Sequence, residues 1–98
     1  MRNKYELAGV TYTVEEVEFV EIGNDTDIMS GHDFKNCEIQ ILKNMSLDNK
    51  KQSLAKELTH AIFYEAGYKE QDENMIDRIS LVLYEFLDDL EDKSWLKV

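Results

Sequence analysis

Apolar and polar residues alternate along two stretches of the N-terminal half, a pattern typical of strands with one buried face. The first stretch begins at Tyr5, turns at residues 8–9 and continues through residues 10–14. The alternation returns out of phase near Val17, and a bulge at residues 15–16 would restore it. The second stretch covers residues 37–41, where every second residue is apolar. The pattern predicts a hairpin and a third strand within residues 1–42.

The spacing of apolar residues becomes helical after residue 46. Ser46 is a favourable first cap, and Gly67 is a favourable residue for ending this first helix. Asp72 is predicted to cap a second helix that runs to about residue 92. The apolar stripe of the first helix comprises Leu54, Leu58, Ala61 and Ile62, and that of the second comprises Met75, Ile76, Ile79, Val82, Leu83, Phe86, Leu87 and Leu90. The short connection predicts an antiparallel helical pair over residues 46–92, followed by a tail at 93–98.

These elements predict a single α+β domain over residues 1–98, in which a three-stranded antiparallel sheet packs on two antiparallel helices. Residues 23–36 are rich in turn-forming residues and are expected to be a loop. His32 lies in that segment, and we expect it to be an exposed side chain without a role. Cys37 is the single cysteine, so it has no intramolecular disulfide partner and is predicted to be a buried, unreactive thiol.

The formal net charge is −10, which disfavours direct binding to nucleic-acid backbones. No apolar run reaches the roughly 18 residues that span a membrane, so we expect a cytoplasmic protein. The acidic residues are concentrated in two runs, one at residues 15–27 and one at residues 88–92, at the end of the predicted second helix. They either keep the chain soluble or form a docking surface for a basic protein partner. The candidate partner-binding residues are Glu15, Glu16, Glu18, Asp88 and Asp89.

One segment differs at a single position from the zinc-peptidase sequence His-Glu-x-x-His, because residues 56–60 read Lys-Glu-Leu-Thr-His. Residues four apart share a helical face, so the peptidase sequence directs two imidazoles at one zinc ion. The glutamate then deprotonates the zinc-bound water. Lys56 replaces the first histidine, and a protonated lysine has no lone pair for a metal. The substitution predicts that Lys56 pairs with neighbouring acids and that no cofactor is held.

The segment at 56–68, with its Glu-Ala-Gly-Tyr ending, and the segment at 72–79 carry a resemblance to a known family. They resemble small phage and prophage zinc metallopeptidases of the ImmA/IrrE and SprT-like kind, and the likeness extends over residues 8–91. The resemblance implies a minimal zincin-like fold in which Glu57 matches the general base and His60 the second zinc ligand. It places the third ligand, an acid on the next helix, at Asp77 or Glu73, with Asp77 preferred.

The replaced ligand leads to a first functional hypothesis. The chain is a catalytically inactive, metallopeptidase-like phage or prophage protein that binds another protein in the host bacterial cytoplasm. Its partner would be a basic host enzyme, such as a nucleic-acid-handling defence enzyme, inhibited through the acidic surface. The alternative is a functional zinc-dependent metallopeptidase that uses His60 and Asp77 with His32 or Glu73 as an unusual further ligand. A structural or accessory phage protein is a third possibility, and the sequence leaves the oligomeric state open.

Overall fold

The computed structural model of the chain describes residues 3–23 and 29–89, and within them it forms a mixed sheet and two helices. The elements are β1 (Lys4–Leu7), β2 (Val10–Val17), β3 (Ser30–Asp33), β4 (Glu38–Leu42), α1 (Leu47–Glu65) and α2 (Glu73–Asp89). The strands lie in the order β1-β2-β4-β3. Helix α1 packs against the sheet, and α2 packs against α1. The predicted α+β class is therefore confirmed.

The sheet differs from the predicted three-stranded antiparallel arrangement in two ways. A further strand, β3, occupies part of the expected loop at 23–36, and β2 runs parallel to β4. The predicted β1–β2 hairpin is confirmed, with Ala8 and Gly9 at φ values of 52° and 80° in its turn. Strand β4 is antiparallel to β3 and lies between β3 and β2. Because β3 runs opposite to both β2 and β4, the neighbouring strands β2 and β4 run in the same direction.

Strand β2 keeps one side-chain phase over its whole length. Tyr12 and Val14 are buried toward α1, and Glu16 continues the same phase. The carboxylate of Glu16 reaches Lys50 of α1, which donates to it at 2.6 Å. The predicted bulge at residues 15–16 is wrong, because both residues pair with β4 in unbroken register.

Helix α1 forms the centre of the molecule. It begins after Ser46, whose hydroxyl accepts a hydrogen bond from the backbone N–H of Asn49 at 3.2 Å. It ends before Gly67, which has a φ of 102° as expected for a residue that follows a helix. Its middle turns are buried on several sides because the sheet and α2 cover different faces. The main core consists of Tyr12, Val14, Ile39, Ile41, Leu54, Leu58 and Ala61.

Helix α2 begins as predicted, because Asp72 Oδ1 accepts hydrogen bonds from the backbone N–H groups of Asn74 and Met75 at 2.9 and 3.3 Å. The predicted continuation to residue 92 and the tail at 93–98 lie outside the described residues. Neither described helix combines the length and apolar character required to cross a membrane.

The face of α2 that packs on α1 is not the one expected from the apolar spacing. Ile76 and Ser80 are the buried residues of this helix, and the small serine side chain allows close packing. Ile79, Val82 and Phe86 belong to the predicted apolar stripe, but all are exposed. Most of the stripe therefore points to solvent, although Ile76, which also belongs to it, is buried.

Candidate functional site

Lys56 and His60 lie one helical turn apart on α1 and meet the acids of α2. Lys56 Nζ is 3.2 Å from Glu73 Oε1 and 3.4 Å from Asp77 Oδ1. His60 Nε2 is 3.5 Å from the same oxygen of Glu73. Because Glu73 and Asp77 are four residues apart, they share the side of α2 that faces α1. The structure thus brings the replaced ligand position together with the predicted second ligand and both candidate acids.

Glu57, the residue matched to the general base, points away from this group and toward β3. Its side chain is only 3% exposed, and its Oε1 lies 2.6 Å from His32 Nδ1. The hydroxyl of Ser30 donates to the other carboxylate oxygen, Oε2, at 2.6 Å. The expectation of an exposed loop histidine is wrong, because His32 lies on β3 and is held by a buried carboxylate. Sequence reasoning missed both partners of Glu57.

The ring of His60 is fixed by Gln71, another residue that the sequence did not single out. Gln71 Nε2 donates to the carbonyl oxygens of His60 and Tyr68, each at 3.1 Å. The amide oxygen of Gln71 is therefore the acceptor that lies 2.5 Å from His60 Nδ1. With the Gln71 oxygen as acceptor, His60 Nδ1 is the donor in this contact, and Nε2 faces Glu73.

An aromatic row fixes the position of His32 beside His60. The two imidazole centroids are 4.9 Å apart, and His32 also stacks on Phe34 at 4.1 Å. Phe34 in turn stacks on Tyr64 of α1 at 4.3 Å. The row joins β3 to α1, so the second histidine enters the site through packing between elements that are distant in sequence.

The side chains at this site do not match the zinc centre that the resemblance implies. A zinc peptidase uses neutral imidazoles and a carboxylate, whereas here an ammonium group bridges the two acids. Within residues 3–23 and 29–89, no three or more His, Cys, Asp or Glu side chains are grouped to hold a metal ion. A cleft of about 330 Å³ lies alongside, lined by polar residues that include Ser30, Ser53, Lys56, Asp77 and Ser80.

Each of the two acidic runs contributes one acid to a lysine near the N-terminal end of α1. Lys50 donates to Glu16 of β2, and the neighbouring Lys51 lies 3.6 Å from Asp88 of α2. Because the two lysines are adjacent, these contacts bring the end of β2 and the end of α2 to the same end of the molecule. We call this region the acidic end; it comprises Glu15, Glu16, Glu18, Asp88 and Asp89.

Comparison of the chain with protein-family models, with curated proteins and with solved structures found no match. The fold and the site together define an α+β domain whose central helix carries an ion-paired lysine in a peptidase-like sequence.

Proposed function

We propose that this chain is a non-catalytic, metallopeptidase-like phage or prophage protein that acts by binding another protein. The observation that carries the proposal is the position of the Lys56 ammonium group. It contacts both Glu73 and Asp77, the two acids matched to the third zinc ligand. The Lys56 ammonium group offsets one of the two negative charges that would face a metal, so the protein itself supplies part of the positive charge that a metal would bring.

The contacts of Glu57 support the same proposal. A general base needs a carboxylate oxygen within hydrogen-bond reach of a water that it deprotonates. Here each carboxylate oxygen already has a protein partner, Ser30 or His32, and the group is buried. In this arrangement Glu57 joins α1 to β3 and serves the structure of the domain.

The acidic end is the surface that we assign to the partner. Lys50 and Lys51 neutralise part of its charge, since they pair with Glu16 and Asp88. The acids of this region that are exposed and outside the ion pairs found among residues 3–23 and 29–89 are Glu15, Glu18 and Asp89. Such a surface favours a basic partner by charge complementarity, and a nucleic-acid-handling host enzyme, such as a defence enzyme, presents a basic groove of this kind.

Partner binding is tested by capture from host lysate at low and at raised salt. The test variant combines Glu15→Gln, Glu18→Gln and Asp89→Asn, and its control combines Glu6→Gln, Glu38→Gln and Glu70→Gln, which are exposed elsewhere. We expect the wild type and the control to retain a basic protein at low salt, and the test variant to lose it. Retention that is insensitive to salt, or equal loss by both variants, would contradict binding through the acidic end.

The non-catalytic character is tested by metal analysis of the wild type and of Lys56→His. We expect the wild type to hold less than about a tenth of an equivalent of zinc after supplementation, and the variant to hold about one equivalent. Zinc should also raise the melting temperature of the variant alone, because binding to the folded state stabilises it. If Lys56→His fails to bind zinc, the site does not have peptidase geometry.

A specific observation favours the zinc-dependent metallopeptidase as a second candidate. The Nδ1 atoms of His32 and His60 are engaged by Glu57 and Gln71, the kind of outer contact that orients metal-binding histidines. The residues that would hold zinc are His32, His60 and Glu73, with Asp77 nearby, and Glu73 would have to leave Lys56. Near-stoichiometric zinc in the wild type, lost in His32→Gln, would establish this candidate over the first.

A further inference from the structure

The outward face of α2 carries a row of large apolar side chains. Met75, Ile79, Val82 and Phe86 are 42, 38, 69 and 62% exposed, and the last three line a shallow apolar groove with Leu83. Their spacings of four, three and four residues are those of the a and d positions of a coiled-coil seam. An exposed apolar row of this length is the usual mark of an interaction surface.

The row is complementary to itself when a second copy of α2 lies antiparallel to the first. If Ile79 packs in a layer with Val82 of the second copy, the same alignment packs Met75 with Phe86 of that copy. The two-fold axis then repeats both layers, so all four layers are apolar. The next positions outward are Asp72 and Asp89, which limit the apolar contact to these turns.

The charges beside the row fit the same alignment. Arg78 and Glu85 each come one residue before a member of the row, Ile79 and Phe86, so both lie along the same edge of it. The antiparallel arrangement therefore places Arg78 next to Glu85 of the second copy. The axis generates this pair twice. Both side chains are exposed, and neither takes part in the ion pairs found among residues 3–23 and 29–89. A chain with a net charge of −10 would otherwise repel its own copy, so this local match is informative.

We propose that the chain forms an antiparallel homodimer through the Met75, Ile79, Val82 and Phe86 face of α2. The proposal is independent of the proposed function, because it uses neither the Lys56 site nor binding of a partner to the acidic end. It assigns a role to members of the predicted apolar stripe that the fold leaves exposed.

The first test is sedimentation velocity of the full chain over a concentration series. We expect a wild-type dimer and a monomeric Val82→Glu variant. The control is Leu81→Glu, because Leu81 is similarly exposed, at 54%, but lines the cleft on another side of the same helix. This control should remain dimeric, and circular dichroism should show that both variants fold. Equal dissociation of the two variants would overturn the proposal.

The sharper test uses charge reversal. Arg78→Glu and Glu85→Arg should each weaken the dimer by about tenfold, because like charges then face each other twice. Mixing the two variants should restore association, since the mixed dimer opposes unlike charges at both pairs. Failure of the mixture to restore it would overturn the antiparallel alignment. A wild type that is monomeric at every concentration would overturn the dimer. If the chain dimerised only after removal of residues 90–98, the occupant of the α2 face in the full chain would be that segment and not a second copy.

Discussion

Carboxylates lie on two sides of α1 near residues 56–60, and their environments are opposite. On the side facing β3, Glu57 is 3% exposed, and both of its oxygens contact protein groups. On the side facing α2, Glu73 and Asp77 are 62% and 50% exposed while they contact Lys56. Both groups are clusters of polar contacts, at 2.6 Å around Glu57 and at 3.2 and 3.4 Å around Lys56, but water reaches only the second of them freely.

This difference shows that solvent access determines what a polar contact contributes to folding. A buried carboxylate that loses its partners keeps its desolvation cost, so breaking such a group destabilises a protein strongly. An exposed ion pair that loses one member is rehydrated, and the measured change is small. The residue with the clearest sequence signal, Lys56, is therefore expected to matter less for stability than the neighbouring Glu57.

The largest expected effect comes from Glu57→Ala. The substitution leaves the Ser30 hydroxyl and the His32 ring without their shared acceptor and opens a cavity between α1 and β3. We expect the free energy of unfolding to fall by about 3 kcal/mol, which chemical denaturation measures. Glu73→Ala is the matched control on the exposed side and should cost less than about 1 kcal/mol. Similar losses for the two variants would remove the distinction between the sides of α1.

Tyr12→Phe probes an intermediate case, in which a buried hydroxyl reaches a partly exposed acid. Tyr12 is fully buried and donates to Glu65 Oε2 at 2.6 Å, which ties β2 to the last turn of α1. Removing the hydroxyl should cost about 1 kcal/mol at neutral pH, as measured by denaturant titration. A change near zero would show that water replaces this hydrogen bond without loss.

We also expect the stability difference between the wild type and Tyr12→Phe to depend on pH. Burial, followed by the hydrogen bond to Glu65, raises the pKa of Tyr12 above its ordinary value of 10.0. Above that pH the unfolded chain releases the proton while the folded chain retains it, so the stabilisation is complete below pH 10 and declines as pH rises further. The stability difference between wild type and Tyr12→Phe should therefore shrink above about pH 10. A constant difference would contradict the raised pKa.

The sequence was sufficient for the elements whose signals are local. Ser46, Gly67 and Asp72 mark helix ends through contacts within a few residues, and all three are found in those roles. Strand β3 lacked such a signal, because Ser-Gly-His-Asp has the composition of a turn and forms a strand only beside β4. The sequence likewise did not indicate which face of α2 packs on α1, because apolar spacing identifies a stripe of residues but not the element that covers it.

The site shows the same division between local and distant contacts. The pairing of Lys56 with acids on the next helix follows from helical spacing and a short connection. The partners of Glu57, Ser30 and His32, lie on β3, 27 and 25 residues away in sequence, and β4 comes between them and α1 along the chain. One usable signal was present, because Ser30 and His32 are two residues apart and would face the same side of any extended segment.

Lys56→Met is expected to have the smallest effect on stability, and it tests the exposed side of α1. Methionine keeps the packing of the lysine stem, and the acids left behind are at least half exposed and remain hydrated. We expect a loss below about 1 kcal/mol at low ionic strength, decreasing further at about 1 M salt, where charge interactions are screened. Denaturation at both salt concentrations measures it. A loss close to that of Glu57→Ala, unchanged by salt, would mean that the Lys56 group behaves as a buried charge cluster and that accessibility does not separate the two sides of α1.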